Sequence, residues 1–258
     1  MRIYIFDTQN DNGGYSETRY EDHAQSIYRR KIMRTATLLI LAAVILAVPA
    51  FSASSYLGGF SGLIYTPDTL TVPAQNLDVS FHDTLKFFGG IDFKTYGGIY
   101  GLSPSSEVGV SFFSNSSNNA TLSGKLRIVN ETSAVPGVAV GVFDLTNSAT
   151  EFSGNPSAYL VVSKDVTTLI PGMGTLTPIQ VSLGAGSGVF NGIFASLDYA
   201  FAPTFSAQVE FNGGHLDGQT NLFNGGVRWA ALPGLRIDAA YAGFQQFAFG
   251  ASYKISIP

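Results

Sequence analysis

The C-terminal stretch Gln246–Ile257 alternates between apolar and small or polar residues almost without interruption. One alternate set is Phe247, Phe249, Ala251, Tyr253, Ile255 and Ile257, and the other is Gln246, Ala248, Gly250, Ser252, Lys254 and Ser256. Because successive side chains of a strand point to opposite faces of a sheet, this period predicts a half-buried strand. One face of that strand is apolar and aromatic, so we expect lipid rather than water to cover it.

The last residues of this strand resemble the C-terminal β-signal that the barrel-assembly machinery of outer membranes reads. The matching positions are Gly250, Tyr253 and Ile255, which give a glycine, two spacers, an aromatic residue, a spacer and an aliphatic residue. The resemblance implies two partners, the lipid of an outer membrane and the assembly machinery.

Composition supports this environment. Charged residues make up 12% of the chain, about half of the roughly 25% that soluble domains carry. The chain has no cysteine, which excludes disulfides and cysteine-ligated metals. A formal net charge of −4 argues against a nucleic-acid partner, which would require a basic surface.

The N-terminal region reads as an export signal. Basic residues at Arg29–Lys31 and Arg34 precede the apolar stretch Leu38–Val48, and small residues follow before Ala53. An apolar stretch of this length is shorter than the ~20 residues that a spanning helix needs. We therefore expect four segments: a disordered extension or mis-assigned start (1–32, with Met33 as the alternative start), a cleavable signal peptide (33–52), an N-terminal lead (53–75) and a β-barrel (76–258).

Alternating runs separated by turn residues fill the rest of the chain. Twelve are found, near Leu77–His82, Phe93–Leu102, Glu107–Phe112, Leu122–Ile128, Val138–Val142, Ser157–Lys164, Ile179–Gly186, Ala195–Phe201, Phe205–Phe211, Phe223–Trp229, Leu235–Tyr241 and Gln246–Ile257. Even strand numbers and ~10-residue alternating segments are typical of bacterial outer-membrane barrels. The sequence predicts an all-β, antiparallel transmembrane β-barrel of about twelve strands, within a range of ten to fourteen. A secreted, soluble β-sandwich is the alternative.

Connection lengths support the barrel. With a periplasmic N-terminus, short turns such as Ser103–Ser106 fall on the periplasmic side, and the polar stretches Ser114–Asn119, Thr146–Pro156 and Asn212–Thr220 are predicted as external loops. The long connection Asp165–Pro178 breaks this pattern because it falls on the periplasmic side. The strand count near it is therefore the least constrained.

The stretch Gly59–Pro67 follows no strand pattern. Its residues Gly62, Leu63, Ile64, Thr66 and Pro67 resemble the opening motif of YjbH-like outer-membrane proteins, a family of exopolysaccharide-associated barrels. The resemblance implies a role in exopolysaccharide or envelope biology without established catalytic residues, although typical members are much longer. We expect the motif to form a rigid plug or turn at the periplasmic mouth, with ligand binding as the alternative.

If the apolar faces contact lipid, the other faces line the lumen. The charged or ionisable residues on those faces are Asp78, His82, Glu107, Lys125, Arg127, Asp198, Glu210, Arg228, Arg236, Asp238 and Lys254. Because buried charges are costly when unpaired, we expect them to pair across the lumen or to be solvated. A closed lumen held by ion pairs and a narrow polar channel for small solutes both fit this pattern.

Enzyme chemistry has weak support. His82 with Asp83, and His215 with Asp217, are predicted near the outer rim, where a His–Asp pair would serve a hydrolase. No nucleophile elbow, phosphate loop or metal-ligand spacing accompanies them, so no catalytic residue, cofactor or metal is predicted. The sequence favours a structural, channel or export-accessory barrel. The alternative is a non-conducting surface protein whose loops contact a partner or polysaccharide.

Overall fold

The computed structural model describes residues 53–88, 90–114, 120–148, 156–169, 178–216, 219–243 and 245–258. All of them belong to one compact unit, Leu46–Pro258. The predicted extension and signal peptide, residues 1–52, lie outside the described residues. Within the described part of the chain, no helix is both long and apolar enough to cross a membrane.

Twelve antiparallel strands form a closed barrel. In chain order they are β3 (Asn76–Phe88), β4 (Ile91–Ser103), β5 (Ser106–Phe113), β6 (Thr121–Val129), β7 (Gly137–Phe143), β8 (Ser157–Asp165), β9 (Ile179–Gly186), β10 (Gly192–Ala202), β11 (Phe205–Leu216), β12 (Gln219–Leu232), β13 (Leu235–Ala242) and β14 (Gln246–Ser256). The predicted fold class and the count of twelve strands are confirmed. Two short strands precede the barrel, β1 (Ala53–Ser54) and β2 (Ser61–Gly62), and two 3-10 turns lie at Val166–Leu169 and Gly188–Phe190.

The ring closes where the last strand pairs with the first barrel strand. β14 runs antiparallel to β3, from Ser256 opposite Asn76 to Ala248 opposite Thr84. Every other barrel pair joins strands that are neighbours in the chain. Closure removes the free edges that an open sheet would present, which is a requirement for a sheet that spans lipid.

Strand alternation separates an apolar exterior from the interior. Large apolar side chains of the outward set are exposed, among them Phe112, Trp229, Phe249 and Tyr253. The rings of Phe205 and Trp229 stack on this outer face with centroids 5.8 Å apart. An exposed band of apolar and aromatic side chains around a closed barrel is the surface of a transmembrane barrel.

One predicted loop is wrong. Asn212–Thr220 was expected to be external, but β11 continues to Leu216 and β12 begins at Gln219. The register shifts between Asn212 and His215 while pairing resumes beyond the shift. The irregularity, together with Gly213 and Gly214, interrupts the apolar alternation without ending the strand.

The ambiguous connection Asp165–Pro178 does not disturb the strand count. β8 and β9 pair directly, with Asp165 opposite Gln180 at the base of the connection. Residues 166–169 form a 3-10 turn, and residues 170–177 lie outside the described part of the chain. Below, the proximal end is the end of the barrel that holds Asn76 and Ser256, and the distal end is the opposite one.

The glycine of the terminal strand has a packing role. A Cβ at Gly250 would overlap the His82 ring, which crosses the inner side of β14. We expect Gly250→Val to lower the free energy of unfolding by roughly 1–3 kcal/mol, because the ring or the strand must shift. The readout is the temperature at which the folded band disappears from unboiled SDS gels. The neighbouring outward residue gives the control, Ala251→Val, which should melt like the wild type. Equal melting of the two variants would contradict this packing role.

Candidate functional site in the barrel lumen

The N-terminal lead fills the lumen. Residues 53–75, here called the plug, are mostly buried, and its exposed residues are Pro73 and Gln75, next to the first barrel strand. Plug residues contact inward-facing side chains on five strands around the ring, namely Ser80, Glu107, Phe143, Ser163 and Glu210. A segment that touches walls on all sides lies inside the barrel. The motif was expected at the mouth, whereas its contacts are with residues in strand interiors.

Local chain geometry folds the plug back on itself. Gly58 and Gly59 adopt positive φ angles of 65° and 70°, a conformation that glycine accepts without strain. This turn brings β1 beside β2, with Ala53 opposite Gly62. The motif then makes a second tight turn, in which the Leu63 amide donates to the Thr66 carbonyl at 3.0 Å. A Cβ at Gly62 would overlap that carbonyl oxygen, which explains the glycine of the motif.

Glu210 on β11 holds the second turn. Its carboxylate accepts hydrogen bonds from the backbone amides of Ile64 (3.2 Å), Tyr65 (2.7 Å) and Thr66 (3.0 Å). The Thr66 hydroxyl adds a bond of 2.7 Å, and the side-chain amide of Asn224 adds one of 2.8 Å. Glu210 is 1% exposed. Hydrogen bonds to a buried carboxylate are stronger than neutral ones, so this cluster fixes the motif to the wall.

Glu107 on β5 holds the other side of the plug. Its carboxylate accepts from the Ser61 amide at 2.8 Å, the Ser61 hydroxyl at 2.9 Å and the Val72 amide at 2.7 Å. Lys125 on β6 lies 3.5 Å from Glu107 and 3.3 Å from Asp68 of the plug. Its ammonium also donates to the Ser61 carbonyl at 2.8 Å. The single positive charge of Lys125 is therefore shared between the two carboxylates.

The two carboxylate clusters lie across the lumen from each other. In the ring order, β5 and β11 are six strands apart in a barrel of twelve. The plug is therefore held at opposite walls: Glu107 binds Ser61 and Val72 on either side of the motif, and Glu210 binds the motif itself. Between them, Tyr65 shares a hydrogen bond of 3.0 Å with Thr84 on β3. Burial raises the pKa of the Tyr65 phenol, so its hydroxyl stays protonated.

Glycines in the wall make room for the plug backbone. Gly97 on β4 and Gly109 on β5 face inward, and a Cβ at either would press on Gly58 or Gly59 of the plug. A Cβ at Gly101 would likewise overlap the carbonyl of Pro73. The Gly-rich second barrel strand, which alternation alone does not explain, is thus shaped to accept a peptide chain.

An aromatic cluster lies in the distal part of the lumen. The Phe60 ring of the plug lies 5.6 Å from Phe143, 6.2 Å from Tyr159 and 5.8 Å from Phe190, as measured between ring centroids. Five plug side chains belong to the buried apolar cluster, namely Tyr56, Leu57, Phe60, Ile64 and Tyr65. At roughly 1.5–3 kcal/mol for each buried side chain, their burial favours the occupied lumen by about 10 kcal/mol.

A network of charges occupies the wall nearer the proximal end. Arg228 pairs with Asp238 at 2.6 Å, and Arg236 lies 3.8 Å from Asp78. His82 was predicted near the outer rim beside Asp83, but it is buried inside the barrel. Its ring lies 4.4 Å from that of Tyr56, and its Nε2 lies 4.0 Å from Asp238. This placement makes His82 part of the interior packing.

The structure gives a position to each predicted lumen residue. Nine of the eleven are buried inside the barrel, and Arg127 and Lys254 are half-buried. Arg127 donates to the Pro104 carbonyl at the proximal rim. The side chain of His215 and all of Asp217 lie outside the described residues. Among the residues that are described, no cluster of His, Asp and Glu is arranged to hold a metal ion.

Sequence reasoning missed the plug side of the site. Ser61, Asp68 and Val72 bind the wall carboxylates and the lysine, yet nothing in a non-strand segment signals such contacts. The aromatic cluster had a readable signal. Phe93 and Phe113 occupy inward positions of their strands, in phase with polar lumen residues, and they stack with centroids 5.3 Å apart. Large apolar residues on the polar face indicate something apolar inside the barrel.

The fold and its filled lumen define the class of protein: a transmembrane β-barrel occluded by its own N-terminal segment. A family model described as Exopolysaccharide biosynthesis protein YbjH matches residues 95–247, more than half of the chain. The chain therefore belongs to the YjbH family, as the resemblance of its N-terminal motif predicted.

Several solved barrels are similar in fold. The KdgM porin is 11% identical with a TM-score of 0.47, and the match covers 69% of this chain and 98% of that one. Omp33 of Acinetobacter baumannii is 13% identical with a TM-score of 0.44, over 70% of this chain and 98% of the other. A mutant Rhodopseudomonas blastica porin is 12% identical with a TM-score of 0.33, over 63% and 55%. No curated protein matches the chain.

The charge network gives a stability prediction. Replacing Arg228 by Met leaves Asp238 buried without its 2.6 Å partner. We expect a loss of about 3–5 kcal/mol in the free energy of unfolding, because a buried charge is then uncompensated. Denaturant unfolding in detergent is followed by the fluorescence of Trp229, the only tryptophan of the sequence. The control variant Arg228→Met with Asp238→Leu removes both charges and should recover most of the loss. Equal losses in the two variants would contradict the pairing.

Proposed function

We propose that this protein is an outer-membrane barrel of the Gram-negative envelope with an export-accessory or channel role in exopolysaccharide biology. The observation that carries the proposal is the closed barrel with an apolar exterior and a polar, occupied lumen. The description of the family that matches the chain supplies the link to exopolysaccharide. The plug favours an accessory role at rest, because a filled lumen does not let a polymer through.

Delivery to the membrane is part of the proposal. Residues 33–52 act as a signal peptide that is removed before Ala53, and the barrel-assembly machinery reads Gly250, Tyr253 and Ile255. In the structure, Tyr253 and Ile255 lie on the exposed face of β14, the strand that closes the ring. Exposed side chains on a closing strand are accessible to a receptor before closure, which is consistent with such a signal.

A non-conducting surface protein is the second candidate. The filled lumen also favours it, since a barrel closed by its own chain serves as a scaffold for external loops. Ser114–Asn119 and Thr146–Pro156, the loops predicted to contact a partner or polysaccharide, lie largely outside the described residues. No catalytic role enters either candidate, and His82 lies buried against Tyr56 rather than at a rim.

Deletion of the gene in its native host tests the proposed function. We expect secreted exopolysaccharide to fall several-fold and to return when the full-length gene is restored. The matched control restores a variant with Gly250→Val, which should return less exopolysaccharide in proportion to its lower folded level in outer-membrane fractions. N-terminal sequencing of the protein from those fractions should begin at Ala53. Exopolysaccharide that is unchanged by the deletion, in a host whose parent strain holds the folded barrel in its outer membrane, would contradict the export role and favour the surface protein.

A further inference from the structure

We propose that the plug is a releasable gate, and that its withdrawal opens the lumen to small polar solutes without strong selection by charge. The inference rests on the proposed function, since it concerns the same lumen and names how passage through it is controlled. Three features of the described residues carry it: the chemistry of the plug contacts, the chemistry of the wall behind the plug, and the balance of charge along that wall.

The contacts that fix the plug to the wall are ones that water can replace. The partners of Glu210 and Glu107 in the plug are mainly backbone amides and hydroxyls, which donate hydrogen bonds to the carboxylate oxygens. Both carboxylates remain on the barrel when the plug leaves, where water can hydrate them, and the plug amides are hydrated in the same way. Release of the plug therefore replaces hydrogen bonds between plug and wall by hydrogen bonds to water, and no group is left without a partner.

The wall behind the plug is more polar than a permanent filling requires. Five inward hydroxyls are buried without a hydrogen-bond partner among the described residues, on Thr95, Ser111, Thr121, Ser123 and Ser252. Ser111 and Ser123 lie directly beside Gly58 and Gly59 of the plug. Buried hydroxyls without partners destabilise the closed state, and water entering an open lumen would satisfy them. The same positions filled by apolar residues would hold a permanent plug better.

The closed state is nevertheless the resting state. The aromatic cluster around Phe60 and the burial of Tyr56, Leu57, Ile64 and Tyr65 give the plug a large apolar contribution that water opposes on release. Opening therefore requires either weaker hydrogen bonds from the plug to Glu107 and Glu210 or a force that draws the plug out of the lumen. Wild-type barrels are expected to stay closed in a bilayer at most times.

Charge balance sets the kind of solute. The predicted lumen residues comprise five carboxylates and five basic side chains, with His82 as the remaining member. These charges belong to the barrel wall and stay when the plug withdraws. An open lumen with equal numbers of each sign has no strong preference for cations or anions. Small neutral or weakly charged polar solutes fit such a wall.

A reversible lock makes the gate testable in the full chain. The hydroxyl oxygens of Ser54 in the plug and Ser80 on β3 lie 2.9 Å apart, and the sequence contains no cysteine. The double variant Ser54→Cys with Ser80→Cys therefore places one disulfide between plug and wall. A second pair of changes, Glu107→Gln with Glu210→Gln, weakens the hydrogen bonds that hold the plug at both walls. The quadruple variant combines them, so that one sample is locked when oxidised and unlocked when reduced.

Planar-bilayer conductance is the measurement, with uptake of neutral sugars into proteoliposomes beside it. For the quadruple variant we expect several-fold higher conductance and sugar uptake after reduction than when oxidised. Its two Glu→Gln changes leave three carboxylates against five basic side chains on the wall, so we expect its reversal potential in a salt gradient to shift toward that of the anion. The matched control is Asp198→Asn, a lumen carboxylate opposite Gln208 of the wall, which should stay as closed as the wild type. Equal conductance of the oxidised and reduced quadruple variant, with the folded band intact on unboiled gels, would overturn the gate.

A second measurement covers the case in which weakened clamps prevent folding. In an otherwise native chain, Ser111→Cys places a thiol on the wall where the plug covers it. We expect a small charged thiol reagent to label it at denaturant concentrations that leave the SDS-resistant barrel intact. Labelling that begins only when the barrel itself unfolds would overturn the gate. Neither result depends on exopolysaccharide output, so failure of the gate is distinguishable from failure of the proposed function.

Discussion

The packing of the barrel interior depends on the hydrogen bonds between the Glu210 carboxylate and the plug. This carboxylate is buried on the inner face of β11. It accepts hydrogen bonds from three consecutive backbone amides of the plug and from the Thr66 hydroxyl. Without the plug, this carboxylate would face the lumen, and Asn224 would be its remaining hydrogen-bond partner among the described residues. The dependence is mutual, because amides 64–66 sit in a tight turn and need an acceptor away from bulk water. Wall and plug are therefore complementary, and each explains polar features of the other.

The lumen has two zones with different roles. Aromatic side chains from the plug and the wall pack together at the distal side, where Phe60 meets Phe143, Tyr159 and Phe190. Ion pairs occupy the wall nearer the proximal end, where Arg228 pairs with Asp238. The first zone contributes apolar stabilisation to the occupied lumen, and the second places balanced charge along the wall. The barrel is thus filled by its own N-terminal segment, while its inner wall carries many polar and charged side chains.

Much of the barrel could be predicted from the sequence, because alternation is a local signal that each strand carries by itself. Gln246–Ile257 indicated the apolar face, and the twelve runs were all observed as strands. The stretch Asn212–Thr220 was mistaken for a loop because its glycines and register shift hide a continuing strand. The depth of the plug was not predictable, since Glu107 and Glu210 are separated from their plug partners by 46 and 144 residues in sequence. Only the inward phase of Phe93 and Phe113 signalled an apolar filling.

Amide hydrogen exchange of the folded, full-length protein in detergent tests the occupied lumen most directly. The account predicts that the amides of Ile64, Tyr65 and Thr66, which donate to Glu210, exchange about as slowly as those of the neighbouring barrel strands. In Glu210→Ala, the same amides should exchange faster while strand amides of β14 keep their protection. Exchange of amides 64–66 in the wild type at the rate of an exposed loop, with the strands protected, would contradict a plug bound inside the barrel.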